Sequence, residues 1–264
     1  MGNPAESYEN YVVPVLFEPW AKELTSRVAP REGDRIVDVA SGTGIVARCV
    51  ARTANGRASV TGVDPNPNFL AVAKQAAERE GLQIEFHECR AESLPFDDGS
   101  FDLAFCQQGV QFFGDRQAGV NEIARMLADE GRVGISTWQS VERHDFFHAL
   151  HKAMQQHLGT PAAAAPFGLS DHRELGSLLS GAGLQDVEVT QASKTSRYPD
   201  PERFLDETLA ALIAVIAPML DMPDHEIRAG VEAVTKDLQE PLEAFTEDDH
   251  VVLGWHSNVA TARK

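Results

Sequence analysis

Apolar residues along this chain recur with two periods, and the switches between them mark out its elements. Over residues 7–28, Tyr11, Val15, Leu16, Trp20 and Leu24 fall at helical spacing, which predicts an N-terminal helical cap. Short apolar runs then alternate with amphipathic stretches: a strand over 35–40, a helix over 46–54, a strand over 59–64, a helix over 67–80 and a strand over 84–88. The alternation continues with a strand over 101–106, a helix over 116–127, a turn at Asp129, Glu130 and Gly131, and a strand over 132–138. Strands separated by helices predict parallel neighbours in a doubly wound sheet.

Beyond residue 138 the period changes. A helix over 144–157 leads into a loose Pro- and Ala-rich stretch, with Ala162 to Ala165 as its only simple run, and a helix over 173–179 is ended by Gly181 and Gly183. A strand over 187–193 passes through Pro199 and Pro201 into a helix with Leu205, Leu209, Leu212, Ile216 and Leu220 on one face. That face reads as core or dimer surface ahead of a substrate wall. A further helix over 225–245 precedes a last strand over 250–255 that extends as far as 259. The expected fold is α/β: a Rossmann-like, doubly wound, mostly parallel seven-stranded sheet in a single domain over 1–264. Residues 1–30 form the cap and 31–138 the cofactor-binding core, while 139–182 and 199–247 are helical lid insertions that build an acceptor pocket.

Composition narrows the function classes. With 43% hydrophobic and 24% charged residues, the 264-residue chain is globular in type. Its formal net charge of -17 repels a phosphate backbone, so nucleic acid is not an expected partner. Cys49, Cys89 and Cys106 lack metal-site spacing and cannot all pair, which points to a reducing compartment and to no structural metal. No stretch is apolar enough to span a membrane, and no basic and apolar leader opens the chain. Glu6 stands where a myristoylation signal at Gly2 needs Ser or Thr. A cytoplasmic protein is expected, with a small-molecule partner and a homodimer left open.

The candidate chemistry begins at residues 36–44, IVDVASGTG, a buried strand running into a small-residue loop that opens a helix. Gly42 and Gly44 let backbone N–H groups approach a ligand closely. Asp64, twenty residues past Gly44 at the end of the second strand, suits a ribose diol. An adenosine-type cofactor follows, in either of two classes, because Gly42, Gly44 and Ala47 also satisfy the loose dinucleotide fingerprint. Asp38 separates them: a carboxylate there suits an α-amino group and a sulfonium and is an odd neighbour for a pyrophosphate. Its plainer role is to bond loop amides.

These residues resemble the class I S-adenosylmethionine-dependent methyltransferases, and more narrowly the quinone-biosynthesis type of small-molecule methyltransferase, over about residues 8–138. The resemblance implies that Asp38 opens the cofactor loop, followed by Ala40 in place of its first glycine, then Ser41, Gly42 and Gly44. It implies that Asp64 takes the ribose, with Pro65 and Asn66 beneath the adenine. Arg90, in the run Arg90 to Phe96, stands where the family often has an adenine-binding aspartate, so Glu92 and the Ala91 N–H are the expected substitutes. The segment DGSFDLAF ending at Phe105 matches the fourth strand, and Gln107 falls at the methionine end of the cofactor.

Methyl transfer needs alignment of donor and nucleophile more than it needs catalytic groups. On the acceptor side, Gln108, Gln111 and Phe112, with Phe113, follow the fourth strand at the edge where ligands sit, and Trp138 closes the fifth. Phe112 and Phe113 serve equally well as core, and Tyr11 and Trp20 serve as lid or as packing. His144, His148 and His151 share one helical face; a packed or solvated face is the plain reading, and His144 is the one placed to act as a base. The expected activity is transfer of a methyl group from S-adenosylmethionine to an O, N or C nucleophile. The alternatives are a Rossmann-type nucleotide-dependent oxidoreductase and a non-catalytic S-adenosylmethionine-binding protein.

Overall fold

The computed structural model describes residues 4–54, 57–216 and 222–264, the side chains of 211–216 and 224 excepted. Among these residues eight strands run in the order β1 (Arg35–Val39), β2 (Ser59–Asp64), β3 (Glu85–Glu88), β4 (Phe101–Gln107), β5 (Leu127–Trp138), β6 (Gln185–Pro199), β7 (Thr246–Glu247) and β8 (His250–Arg263). In space the order is β3-β2-β1-β4-β5-β8-β6, with the two-residue β7 off this path against β8. Strands β1 to β5 pair in parallel, and β8 lies antiparallel to β5. The sheet is therefore the mostly parallel, doubly wound one that the alternation predicts. Its order reverses between β1 and β4, which makes their carboxyl ends the crevice where such sheets hold ligands.

The strands form where apolar runs can be covered on both faces. Val37 and Val39 of β1 and Leu103, Ala104 and Phe105 of β4 are fully buried, each large side chain contributing about 1.5–3 kcal/mol by leaving water. Asn66 starts the Pro67–Arg79 helix by accepting from the Asn68 N–H at 3.0 Å, and Asp115 starts Arg116–Met126 by accepting from Ala118 at 2.9 Å.

Several boundaries differ from the pattern. Strand β5 begins at Leu127, which pairs with Phe101; the register resumes at Leu103 and Arg132, so the expected turn is a bulge in which Glu130 takes φ +64°. Strand β8 continues to Arg263 because Ser257 to Arg263 pair with Trp138 to Arg132. The N-terminal cap is not one α-helix: Tyr8–Phe17 is wound as a π-helix around Pro14, followed by an α-helix over Glu18–Arg27. Proline lacks the N–H for the α ladder and crowds the preceding turn, and wider winding relieves both. Pro241 likewise splits the expected long helix into Asp224–Asp237 and Gln239–Ala244.

The chain divides into two compact units, one of residues 1–138, 169–192 and 257–264 and the other of 139–168 and 193–256. The first holds the sheet core and the His172–Gly181 helix. The second is helical, built on Asp145–Leu158, Pro201–Ile216, Asp224–Asp237 and Gln239–Ala244. Its centre is aromatic: Phe146 meets Phe204 and Phe245 edge-on, and Phe147 lies against Phe167 and Trp255. Leu205 and Leu209 are buried there, whereas the side chains of Leu212 and Ile216, and Leu220 entirely, lie outside the described residues.

Candidate functional site

At the end of β1 the chain turns through Ala40, Ser41, Gly42, Thr43 and Gly44 into the Ile45–Ala54 helix. Gly42 and Gly44 have φ of +55° and +80°, and Ala40 has +57°. Ala40 thus holds a conformation that glycine adopts without strain, at about 1–2 kcal/mol. Its methyl is accommodated by Gly109, where an added Cβ would stand 2.7 Å from it.

Asp38 is buried below this loop, and its Oδ2 accepts from the Ala47 N–H at 3.0 Å. Burial pushes its pKa up to about 8, against the Ala47 hydrogen bond and with the charge of Asp64 adding to the rise. Asp64 is also buried, and its two oxygens accept from the Gly42 and Asn66 N–H groups, both at 2.9 Å. Burial raises its pKa, and those two amides moderate the rise. Each carboxylate keeps lone pairs for a ligand. The Ser41 and Thr43 hydroxyls and the Gln107 Oε1 are buried without a hydrogen-bond partner. Two carboxylates, two hydroxyls and an amide oxygen suit a ligand that brings an ammonium and a ribose diol. A pyrophosphate would add negative charge to a pair of acids already in each other's field, so a dinucleotide fits poorly.

The remaining expected cofactor residues divide. Pro65 and Asn66 are exposed at the start of the Pro67–Arg79 helix, open to a ligand, and Ala91 is buried. Glu92 is engaged elsewhere: its Oε1 accepts from the Gly114 and Asp115 N–H groups at 2.6 and 3.3 Å, and its Oε2 faces Arg90 at 3.5 Å. These contacts brace a loop and do not favour an adenine contact. Gln107 donates its Nε2 to the Phe17 carbonyl at 3.1 Å, tying the cap to the end of β4.

The acceptor-side residues are not all brought together. Gln108 and Gln111 are buried and joined at 3.4 Å, but Phe112 is 60% exposed and forms no dry wall. Trp138 is buried in the first unit against Trp20 and Phe17, with ring centroids 5.6 and 6.3 Å away, and reads as core.

His144, in the second unit, does not have the arrangement of a base. Its Nδ1 meets the Ser140 carbonyl at 3.0 Å and its Nε2 accepts from the His256 N–H at 3.1 Å. The carbonyl requires a proton on Nδ1, so the lone pair on Nε2 is already used. Burial, with the nearby His256 and Arg143 adding to it, lowers its pKa to about 4. Among the described residues no group of His, Cys, Asp or Glu is placed to hold a metal ion.

Sequence periodicity missed Tyr8. Its ring stacks on Phe69 and lies 5.4 Å from that of Phe17, and its hydroxyl pKa is raised by burial and by the charges of Glu9 and Asp64. Nine positions along an α-helix is about two and a half turns, which sets two residues on opposite faces. The π winding returns Tyr8 and Phe17 to one face. An ion-pair chain holds the same segment: Glu9 to Arg48 at 2.5 Å, Arg48 to Glu80 at 2.8 Å, and Arg52 to Glu80 and Glu18 at 2.7 and 3.3 Å.

A switch-point crevice carrying two buried acids and a loop with three left-handed residues suits an adenosine-type cofactor that also bears an ammonium. Residues 37–135 match the family model described as a methyltransferase domain, and this segment is such a domain. The chain is 37% identical over 114 residues to a demethylmenaquinone methyltransferase of Thermus thermophilus, covering 43% of this chain and 51% of that protein. It is 30% identical over 138 residues to the ubiquinone/menaquinone biosynthesis C-methyltransferase UbiE of Stenotrophomonas maltophilia, covering 52% and 54%. The chain thus spans about half the length of these curated relatives. Among solved structures, the YcgJ protein of Bacillus subtilis shares the fold, with a TM-score of 0.60 at 18% identity over 92% of this chain and 97% of that one.

Proposed function

We propose that the protein transfers a methyl group from S-adenosylmethionine to an O, N or C nucleophile of a small molecule. The observation that carries this reading is the pairing of Asp38 and Asp64, with the unpartnered Ser41 and Thr43 hydroxyls, at the carboxyl ends of β1 and β2. Bound there, the sulfonium supplies an electrophilic methyl open to in-line displacement, a reaction that needs no metal and no covalent intermediate. Asp64 would hold the ribose hydroxyls, Asp38 the ammonium, and the Gly42 to Gly44 loop the backbone approach. The cap helix, tied to Gln107 through Phe17, would keep water from the methyl. The names of the matched relatives favour a quinone precursor as the acceptor, and the cysteine pattern of Cys49, Cys89 and Cys106 favours a reducing, cytoplasmic setting.

Titration calorimetry with S-adenosylhomocysteine and with NADH tests the reading. Binding of S-adenosylhomocysteine is expected, and Asp64→Ala should weaken it by about 1–3 kcal/mol, the cost of an unmatched diol. Binding of NADH alone would instead support an oxidoreductase.

A further inference from the structure

Just past β4, four uncharged side chains of the first unit form a chain of hydrogen bonds whose polarity is set from one end. The Ser257 hydroxyl donates to the Thr137 carbonyl at 2.9 Å, with the Asn258 carbonyl also in reach at 3.1 Å. Both are acceptors only, so the single hydroxyl proton is spent on the backbone and Ser257 Oγ must accept from the other side. Gln108 Nε2 fills that role at 3.1 Å and also reaches Ser136 Oγ at 3.4 Å. With its amide nitrogen turned to the serines, Gln108 presents Oε1 to Gln111, which donates Nε2 at 3.4 Å. The second amide is thereby oriented as well, and Gln111 Oε1 is left buried with no partner on a residue 7% exposed. Assignment of nitrogen and oxygen in a lone glutamine is arbitrary; here a backbone carbonyl three bonds away decides it.

The backbone makes this arrangement specific. Gln108 takes φ +54°, rare for a side-chain-bearing residue, and its N–H is held by the Ser136 carbonyl at 2.9 Å. The Val110–Phe112 turn then sets Gln111 beside Gln108. A buried, unpaired acceptor costs stability unless something donates to it.

We infer that Gln111 Oε1 is an acceptor-recognition point that takes a hydroxyl or N–H of a neutral methyl acceptor, with Ser257 and Gln108 as positioning residues that fix its polarity. This deepens the proposed function and rests on it. A carboxylate or phosphate finds no cation among these four side chains, and a group with only lone pairs meets an oxygen of its own kind. A phenolic or enolic hydroxyl meets its complement.

The test uses full-length protein saturated with S-adenosylhomocysteine, titrated with naphthol and with its methyl ether, methoxynaphthalene. Naphthol should bind at least about tenfold more tightly than the ether, the usual scale for a buried polar group left unmatched. Gln111→Leu should abolish the preference. Ser257→Ala, which frees Gln108 to turn over, should reduce it while leaving affinity for the ether unchanged, an effect that mere structural damage does not produce. Equal binding of the two probes, binding of neither, or a preference that survives Gln111→Leu overturns the inference; in the last case a buried water satisfies Gln111. Loss of S-adenosylhomocysteine binding in the wild-type protein would instead overturn the methyltransferase reading, so the two failures are distinguishable.

Discussion

Asp38 shows what a single residue can and cannot disclose in sequence. Its position in the strand before the glycines was legible, but the amide it bonds, that of Ala47, belongs to the first turn of the following helix and not to the loop. Its protonation state was not legible, because that depends on burial and on Asp64 arriving from another strand. With a pKa near 8, Asp38 is mostly protonated at neutral pH. Pairing with an ammonium would favour the carboxylate and release that proton. S-adenosylhomocysteine binding at pH 7 is therefore expected to release close to one proton, and its affinity to rise as pH climbs from about 6 to 8. Calorimetry in buffers of different ionisation enthalpy reads the release directly, and Asp38→Asn should abolish it. An enthalpy independent of buffer would mean that Asp38 does not meet the amino group. Glu92 teaches the reverse lesson: its acidity and position suggested adenine, but the amides of Gly114 and Asp115, far along the chain, claim it first.

Elements form where local pattern and distant partners agree, and two of the places where they disagree are informative. The cap reads as an α-helix by period, yet Pro14 and its neighbours wind it as a π-helix, and Glu9 is carried into contact with Arg48. Their side chains are 8% and 4% exposed, so removing one leaves the other charged and dry. Arg48→Met is expected to cost about 3–5 kcal/mol in denaturant unfolding, and the double variant with Glu9→Leu to recover most of it. Equal loss in both would show that packing, and not the stranded charge, dominates. In the helical unit, the spacing of His144, His148 and His151 reads first as a packed or solvated face, with His144 as a base the second reading. The loop carbonyl of Ser140 and strand β8 supply its partners instead. Its folded pKa, about 4, lies below the ordinary value of 6.5. The unfolded chain takes up a proton first as pH falls, so the contribution of His144 is lost between about 6.5 and 4. His144→Gln should therefore narrow the drop in denaturant midpoint between pH 7 and pH 4.5; an unchanged drop would refute a neutral, buried His144.

For the whole molecule, the parallel half of the sheet was readable because each β-α repeat is local, and the antiparallel side was not, because β8 must cross more than a hundred residues to reach β5. Periodicity ended that strand near 259, whereas pairing with β5 carries it to Arg263. The first unit is consequently made of three separated stretches, the last being residues 257–264. These eight residues cover Val133 and Ile135, both fully buried, and anchor through the Lys264 N–H to Gly131 and the Lys264 ammonium to Leu127, at 2.9 and 2.6 Å. Without them β5 becomes an open edge carrying apolar side chains, the arrangement most prone to pair with other chains. A chain stopped at His256 is therefore expected to lose its cooperative thermal transition and to aggregate, although the whole match to the methyltransferase domain, residues 37–135, is still present. Circular dichroism melts with size-exclusion chromatography read both effects. A truncated chain that stays monomeric and still binds S-adenosylhomocysteine would show that the parallel half folds alone and that closure of the sheet serves the acceptor side only.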